Sequence, residues 1–337
     1  MNILVTGGAG YIGSHTVLEL INAGHRPVIV DNFSNSSKGV IDRLNEITSS
    51  EIKYYEQDFQ DQAAVKQIIE TEKIEGVIHF AAFKAVAESV ADPLRYYQNN
   101  TAGFANLVRT VLDANVQTII FSSTAAVYGN PPEDLVTEDT PCRPESPYGW
   151  SKLMDEIILR DTCAATPTLH GTALRYFNVV GSHDSGRIGE SPKTKPQNLL
   201  PIIVQAVNGT IPPLTVMGTD YPTPDGTCLR DYIHVVDLAK AHIAALEHAA
   251  SQSNGAFEVY NIGTGKPTSV LELIKTFETV NDVAVPHTLG ERRPGDPVAC
   301  YASAEKAEKE LGWKAEKTIE DACRDAWRWQ TQNPDGY

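Results

Sequence analysis

Short apolar runs alternate with helical periodicity through the first half of the chain. The candidate strands are NILVT (Asn2–Thr6), RPVIVD (Arg26–Asp31), IKYYEQD (Ile52–Asp58), GVIHFAA (Gly76–Ala82), QTIIFSS (Gln117–Ser123) and GTALRYFN (Gly171–Asn178). Most are apolar and β-branched on successive residues, the pattern of parallel strands covered on both faces. Between them apolar positions recur at helical spacing, notably over Pro93–Ala114 and Pro147–Ala164. This alternation predicts an α/β fold built on a doubly wound parallel sheet of the Rossmann type.

After Gly181 the texture changes. Gly, Pro and polar residues crowd Ser182–Arg230, then a helical stretch (Val235–Ala249) and a strand-like FEVYNIG follow. The expected division is a cofactor domain over 1–181 plus about 231–263, and a smaller mixed α/β substrate-binding lobe over 182–230 plus about 264–337. Internal repeats and low-complexity tracts are absent from the sequence.

Composition narrows the function. The 337 residues, 42% hydrophobic and 21% charged, describe an ordinary globular chain. A net charge of −15 argues against general nucleic-acid or anionic-membrane binding. An anionic small-molecule partner would need locally placed Arg and Lys. The cysteines (Cys142, Cys163, Cys228, Cys300, Cys323) are odd in number, far apart and without a CxxC pair, so neither a disulfide framework nor a metal site is expected. MNILVTGG carries no basic region, long apolar stretch or cleavage site, and no apolar run is long enough to cross a bilayer; a cytoplasmic location is expected.

The first candidate chemistry lies in TGGAGYIG, between a strand and a helical pattern. Gly7, Gly10 and Gly13 allow a tight turn, close approach of backbone to a pyrophosphate, and tight packing of helix on strand. Asp31 ends the next strand, eighteen residues beyond Gly13. A carboxylate there accepts from both ribose hydroxyls and repels a 2′-phosphate, which favours NAD over NADP. Asp58, ending the third strand, reads either as an acceptor for the adenine amino group or as an exposed strand-end acid.

The second lies in ESPYGWSK. Tyr148 and Lys152 fall four residues apart and share a helix face. A phenol ionises near pH 10, and lowering that by three units takes roughly 4 kcal/mol. An ammonium at about 4–6 Å supplies roughly 3–4 kcal/mol at an effective dielectric near 20. A cationic nicotinamide and the helix N-terminus act in the same direction. The phenolate could then take a hydroxyl proton while the carbon gives hydride to NAD, with Thr124 of FSSTAAVYG completing a proton path.

TGGAGYIGSH, FAAFKAVAES, FSSTAAVYG, SPYGWSK, LRYFNVVG, DYPTPDGTCLRDYIHV, YNIGTG and RRPGD follow in order over essentially the whole chain. With them the sequence resembles the extended short-chain dehydrogenase/reductases, in their nucleotide-sugar 4-epimerase branch. The resemblance implies tightly held NAD that oxidises C4 of a UDP-hexose, a 4-keto sugar that swings in the pocket, and hydride return to its opposite face, interconverting UDP-glucose and UDP-galactose. It implies Tyr148 as acid/base, Lys152 tuning it and holding the nicotinamide ribose, and Thr124 beside the reacting hydroxyl. Around NAD it adds Tyr11, Ile12, Asp31, Asn32, Asn35, Asp58, Phe59, Phe80, Lys84, Asn99 and Phe177. Around the UDP-sugar it implies Lys84, Asn178, Asn198, Arg230, Arg293 and Asp296, with Leu199, Val216 and Met217 near the uridine. Arg230 and Arg293 can each fork onto a diphosphate, whereas Arg292 is expected in a surface salt bridge. The resemblance further implies a homodimer through the Pro93–Ala114 and Pro147–Ala164 helices.

Relatives of the dehydratase type carry carboxylates just after the equivalent Thr, because eliminating water needs a further acid and base. Here Ala125 and Ala126 follow Thr124. A UDP-uronate 4-epimerase and a non-catalytic NAD-binding module are the remaining alternatives. In ERRPGDPVACY, Cys300 stands near the sugar C2 side where some family members have Tyr. The smaller side chain leaves room for a 2-acetamido group, so UDP-N-acetylglucosamine and its galactosamine partner are expected substrates as well.

Overall fold

Seven parallel strands form the central sheet of the computed structural model, which describes residues 1–193, 196–293 and 297–337. Their order is Phe257–Ile262, His170–Tyr176, Thr118–Ser122, Gly76–His79, Asn2–Thr6, Arg26–Asp31 and Lys53–Glu56. Leu4 pairs with Val28 on one side and Val77 on the other. Along the first strand Ile3 and Val5 pack into one core and Leu4 into another, since successive side chains leave a strand on opposite faces. Both cores are closed by helices, which is why the strands read as continuous apolar runs. Each fully buried Leu, Ile, Val or Phe contributes about 1.5–3 kcal/mol of burial energy.

Strand order reverses beside the first strand, between Asn2–Thr6 and Gly76–His79. In sheets of this kind the crevice at that reversal, beyond the carboxyl ends of the strands, receives the ligand.

A second sheet runs Pro267–Ser269, Leu229–His234, Ala299–Ala302, Leu135–Val136, with Asn178–Val180 paired to Leu229–His234. Leu135–Val136 and Asn178–Val180 come from the stretch before Gly181, so this sheet reaches back across the expected boundary. Such two- and three-residue strands are too short to leave a periodic signal. A third pair, Leu214–Met217 with His287–Gly290, lies beside a core formed with the helices Leu199–Val207, Val270–Asn281 and Ile319–Gln332.

Several expected strands are shorter by a residue or a few at their ends, and two elements differ more. The run Gly171–Asn178 ends as a central strand at Tyr176, and Phe177 lies at the step to the second sheet. The helix expected over Pro93–Ala114 is instead an α-turn (Pro93–Tyr96) capped by Asp92, a π-helical segment (Tyr97–Ala102) and an α-helix (Gly103–Asp113). Among the described residues no helix is long and apolar enough to cross a membrane.

Candidate active site

The glycine turn closes on itself. Gly7 adopts φ +72°, donates its N–H to Val30 O at 2.8 Å, and accepts from Gly10 N at 3.1 Å. A Cβ on Gly7 would lie 2.8 Å from Ala81 N, and one on Gly13 would lie 2.3 Å from Gly7 O. The helix that follows, Tyr11–Asn22, has Gly10 at its N-cap and no side-chain cap, so its first N–H groups stay available to an anion. Asp31 is buried beside this turn. Its carboxylate accepts from Ala9 N at 3.0 Å, Phe33 N at 2.8 Å and Ser36 Oγ at 2.9 Å. Three bonds leave acceptor capacity for a ribose hydroxyl. A cradle that a Cβ would fill, an uncapped helix start and this carboxylate together fit a dinucleotide.

The other expected NAD neighbours lie at strand ends, on the helix Tyr11–Asn22 and on the segment Tyr97–Ala102. Asn32 donates to Asp58 Oδ2 at 3.0 Å, which ties the second strand end to the third; Asn35 is exposed. Phe59 packs edge-on against His79, and Phe80 against His242. Asn99 donates to Asn100 Oδ1 at 2.9 Å, while the Tyr11 hydroxyl donates to Gly181 O. Ile12 is half-buried against the first core.

Thr124 leaves the end of the Thr118–Ser122 strand, and Tyr148 and Lys152 enter from the helix Pro147–Ala165. Pro147 sits in the first turn, and the Ser146 hydroxyl accepts from Gly149 N at 3.2 Å, which sets where the helix begins. All three side chains are buried. Burial pushes the Tyr148 phenol up, the neighbouring Tyr176 phenol adds to this, and the polar Thr124 side chain beside it pulls it back. Burial drives the Lys152 ammonium down, opposed by Asp155 and Glu156. Its Nζ donates to Ser122 O at 2.9 Å.

The expected substrate residues are spread over several elements. Lys84 Nζ and Asn198 Nδ2 each lie 3.4 Å from Glu190 Oε1. Leu199 opens the helix that Asn198 precedes; Val216 is buried in the strand Leu214–Met217, and Met217 is half-buried. Asn178 is exposed at the start of its strand, and Phe177 packs in the cluster of Val127, Tyr128, Val136 and Cys300. Arg230 donates to Leu229 O at 2.7 Å and sits opposite Cys300 in the strand register. Burial pushes the Cys300 thiol up to about 11. Arg293 is exposed, and Asp296 lies outside the described residues. Arg292 pairs with Asp220 at 2.7 Å, the surface ion pair expected of it.

Three residues here escaped sequence reading. Asn100, on the π-helical segment, bonds Phe83 through both N–H and C=O at 3.0 Å and donates to Ser151 Oγ at 3.0 Å, tying the Lys84 loop to the helix of Tyr148. Glu190 joins Lys84 to Asn198. Asp155 is a buried acid one turn from Lys152 on the same helix; burial pushes its carboxyl up and the Lys152 ammonium opposes that. The only available signal was an unusual Asn doublet at 99–100.

The family described as GDP-mannose 4,6 dehydratase matches residues 4–326. A UDP-glucose 4-epimerase of Bacillus subtilis (strain 168) is 50% identical over 337 residues, covering 100% of this chain and 99% of its own. A UDP-glucose-4-epimerase structure from Stenotrophomonas maltophila, with bound NAD and formylated UDP-arabinopyranose, aligns with a TM-score of 0.97 at 45% identity over 99% of both chains. One from Bifidobacterium longum, in complex with NAD+ and UDP, aligns with a TM-score of 0.95 at 48% identity over 100% of both.

Proposed function

We infer that an NAD-dependent 4-epimerase of UDP-hexoses works here, on the premise that the chain belongs to the GDP-mannose 4,6 dehydratase family and, at 50% identity over its whole length, to the UDP-glucose 4-epimerases within it. The carrying observation is the arrangement beyond the Thr118–Ser122 strand: a buried phenol with the buried Thr124 beside it, and a buried ammonium one helical turn on. Elimination of water would need a further acid and base beside Thr124. Ala125 and Ala126 stand there, and they cannot move a proton.

Tyr148 Oη takes the C4 hydroxyl proton, and the same oxygen returns it after the sugar has presented its other face. Thr124 Oγ1 orients the reacting hydroxyl. Lys152, anchored on Ser122 O, favours the phenolate by its charge. NAD, when bound, supplies the hydride acceptor and donor and a positive charge near the phenol. The glycine cradle and helix N-terminus hold its pyrophosphate, and Asp31 holds its adenosine ribose. Arg230 and Arg293 hold the substrate diphosphate, Asn178 and Asn198 the sugar side, and Leu199, Val216 and Met217 the uridine; in an acidic chain these arginines supply the local positive charge. The cofactor domain is 1–181 with about 231–263, the substrate domain 182–230 with about 264–337, and the enzyme is cytoplasmic.

Cys300 leaves the sugar C2 side open, so N-acetylated UDP-hexoses turn over as well. The purified protein is expected to convert UDP-galactose to UDP-glucose, and UDP-N-acetylgalactosamine to its gluco epimer, in side-by-side product analysis. Cys300→Tyr should lower the second rate about tenfold or more and spare the first, since a bulky ring obstructs only the larger group. Absence of UDP-glucose would reject the epimerase, and equal loss on both sugars would reject the gate.

The enzyme is a homodimer. Trp150, Met154 and Ile157 recur at i, i+4 and i+7 on one face of the Pro147–Ala165 helix and are 43%, 38% and 38% exposed; Leu94 nearby in the chain's other interface helix is 68% exposed. Apolar stripes of this kind mark association surfaces. Sedimentation should show the mass of two chains, and Trp150→Glu should shift it toward one. A single-chain mass for the unsubstituted protein at all concentrations rejects the dimer.

A further inference from the structure

Beneath the helix of Tyr148 runs a buried polar chain that the mechanism above does not use. Glu156 follows Lys152 by one helical turn, and Arg175 reaches it from the strand His170–Tyr176. The guanidinium grips the carboxylate bidentately, Nε to Oε1 at 3.0 Å and Nη2 to Oε2 at 2.6 Å. Ser123, the residue before Thr124, donates its hydroxyl to the same Glu156 Oε1. On the far side Arg175 Nη1 donates to the Tyr128 hydroxyl at 3.1 Å. That hydroxyl donates to Asn261 Oδ1 at 2.6 Å, and Asn261 Nδ2 donates to Val136 O at 3.1 Å. Val136 lies in the strand paired with Tyr301–Ala302, next to Cys300. Ser123, Glu156, Arg175, Tyr128 and Asn261 are each no more than 6% exposed.

Stability does not account for such a chain. Two charges moved out of water lose hydration that their attraction only partly restores, and apolar residues of similar volume often serve as well or better. What a bidentate, fully hydrogen-bonded pair adds is geometry. One end fixes the residue before Thr124, and the other is fixed in the helix that carries Tyr148 and Lys152. The pair thus sets the register between two groups that must share a proton.

We propose that Glu156 and Arg175 are positioning residues for the epimerase reaction, holding the Thr124 turn, through Ser123, at working distance from the Tyr148 phenol. The proposal rests on the assignment of Tyr148 and Thr124 above. A displacement of about 1 Å between reacting groups can cost on the order of 100-fold in rate. The loss should appear in kcat, because neither residue belongs to the substrate or cofactor contacts.

Glu156→Gln alone strands a buried guanidinium and risks folding, so the deciding variant is the apolar pair Glu156→Met with Arg175→Met. It should keep its melting temperature, its NAD affinity and its KM for UDP-galactose, while kcat falls about tenfold or more. Ser123→Ala, a smaller change, should lower kcat several-fold in the unsubstituted background and not at all in the Met pair, because both act through one contact. Wild-type kcat in the Met pair overturns the proposal. A kcat loss that comes with matching losses of melting temperature and NAD affinity also overturns it, as does a Ser123→Ala effect undiminished in the Met pair. Should the Met pair not fold, an unchanged kcat in Ser123→Ala overturns it alone. The unsubstituted enzyme, assayed alongside, separates a failed epimerase reading, with no wild-type rate, from a failed positioning role.

Discussion

Tyr148→Phe is expected to lower turnover of UDP-galactose by roughly 10²–10⁴-fold, the usual contribution of a positioned acid/base. The ring is 8% exposed and the substitution keeps its volume, so the fold loses little. NAD affinity and UDP affinity should stay near those of the unsubstituted enzyme, because the phenol oxygen contributes to moving a proton rather than to holding the nucleotide. Initial rates with UDP-galactose, together with calorimetric titration of UDP, separate the two effects. A rate within a few-fold of wild type would remove Tyr148 from the chemistry. Weakened UDP binding in step with the rate would instead make it a substrate contact.

Gly13→Ala is expected to weaken NAD binding about 100-fold or more, since the turn and the helix must separate to admit one methyl group. The new Cβ would meet Gly7 O at 2.3 Å and Gly8 Cα at 2.8 Å. Both are backbone atoms, so rotating a side chain relieves nothing. The helix Tyr11–Asn22 must shift away from the strand, and its first N–H groups leave the position in which they face a pyrophosphate. Gly24, where a Cβ would meet nothing within 4 Å, is the natural comparison for steric effect, although its φ of +82° still strains an alanine. NAD titration of nucleotide-free protein measures the change. Undiminished affinity in Gly13→Ala would show that the close packing of the turn does not govern the cofactor site.

The strands Asn2–Thr6 and Arg26–Asp31 have the same limits in the structure as in the sequence pattern, because each is an unbroken apolar run closed by a polar end. Where the chain changes partner within a run, as at Phe177, the pattern continues and the structure does not. The π-helical turn at Tyr97–Ala102 is similarly silent, since helical periodicity survives one inserted residue. Of the residues proposed for the site, the glycine turn, Asp31, Thr124, Tyr148 and Lys152 stand out in the sequence because each lies next to a strand end or helix start with its own local signature. Asn100, Glu190, Glu156 and Arg175 were not: each matters through partners distant in the chain, and an isolated Glu or Arg in a sequence looks like surface.

The chain's own order of residues thus determined the parallel sheet, the nucleotide cradle and the pairing of a phenol with an ammonium on one helical face. These depend on neighbours within a few positions, where backbone sterics and side-chain period decide. Only the tertiary structure decided that Lys152 spends its hydrogen bond on Ser122 O, that Thr124 comes beside the phenol, and that a buried ion pair spans from the helix of Tyr148 to the strand beside it. The reason is that desolvation and hydrogen-bond geometry arise when distant segments exclude water together, and no local pattern encodes them.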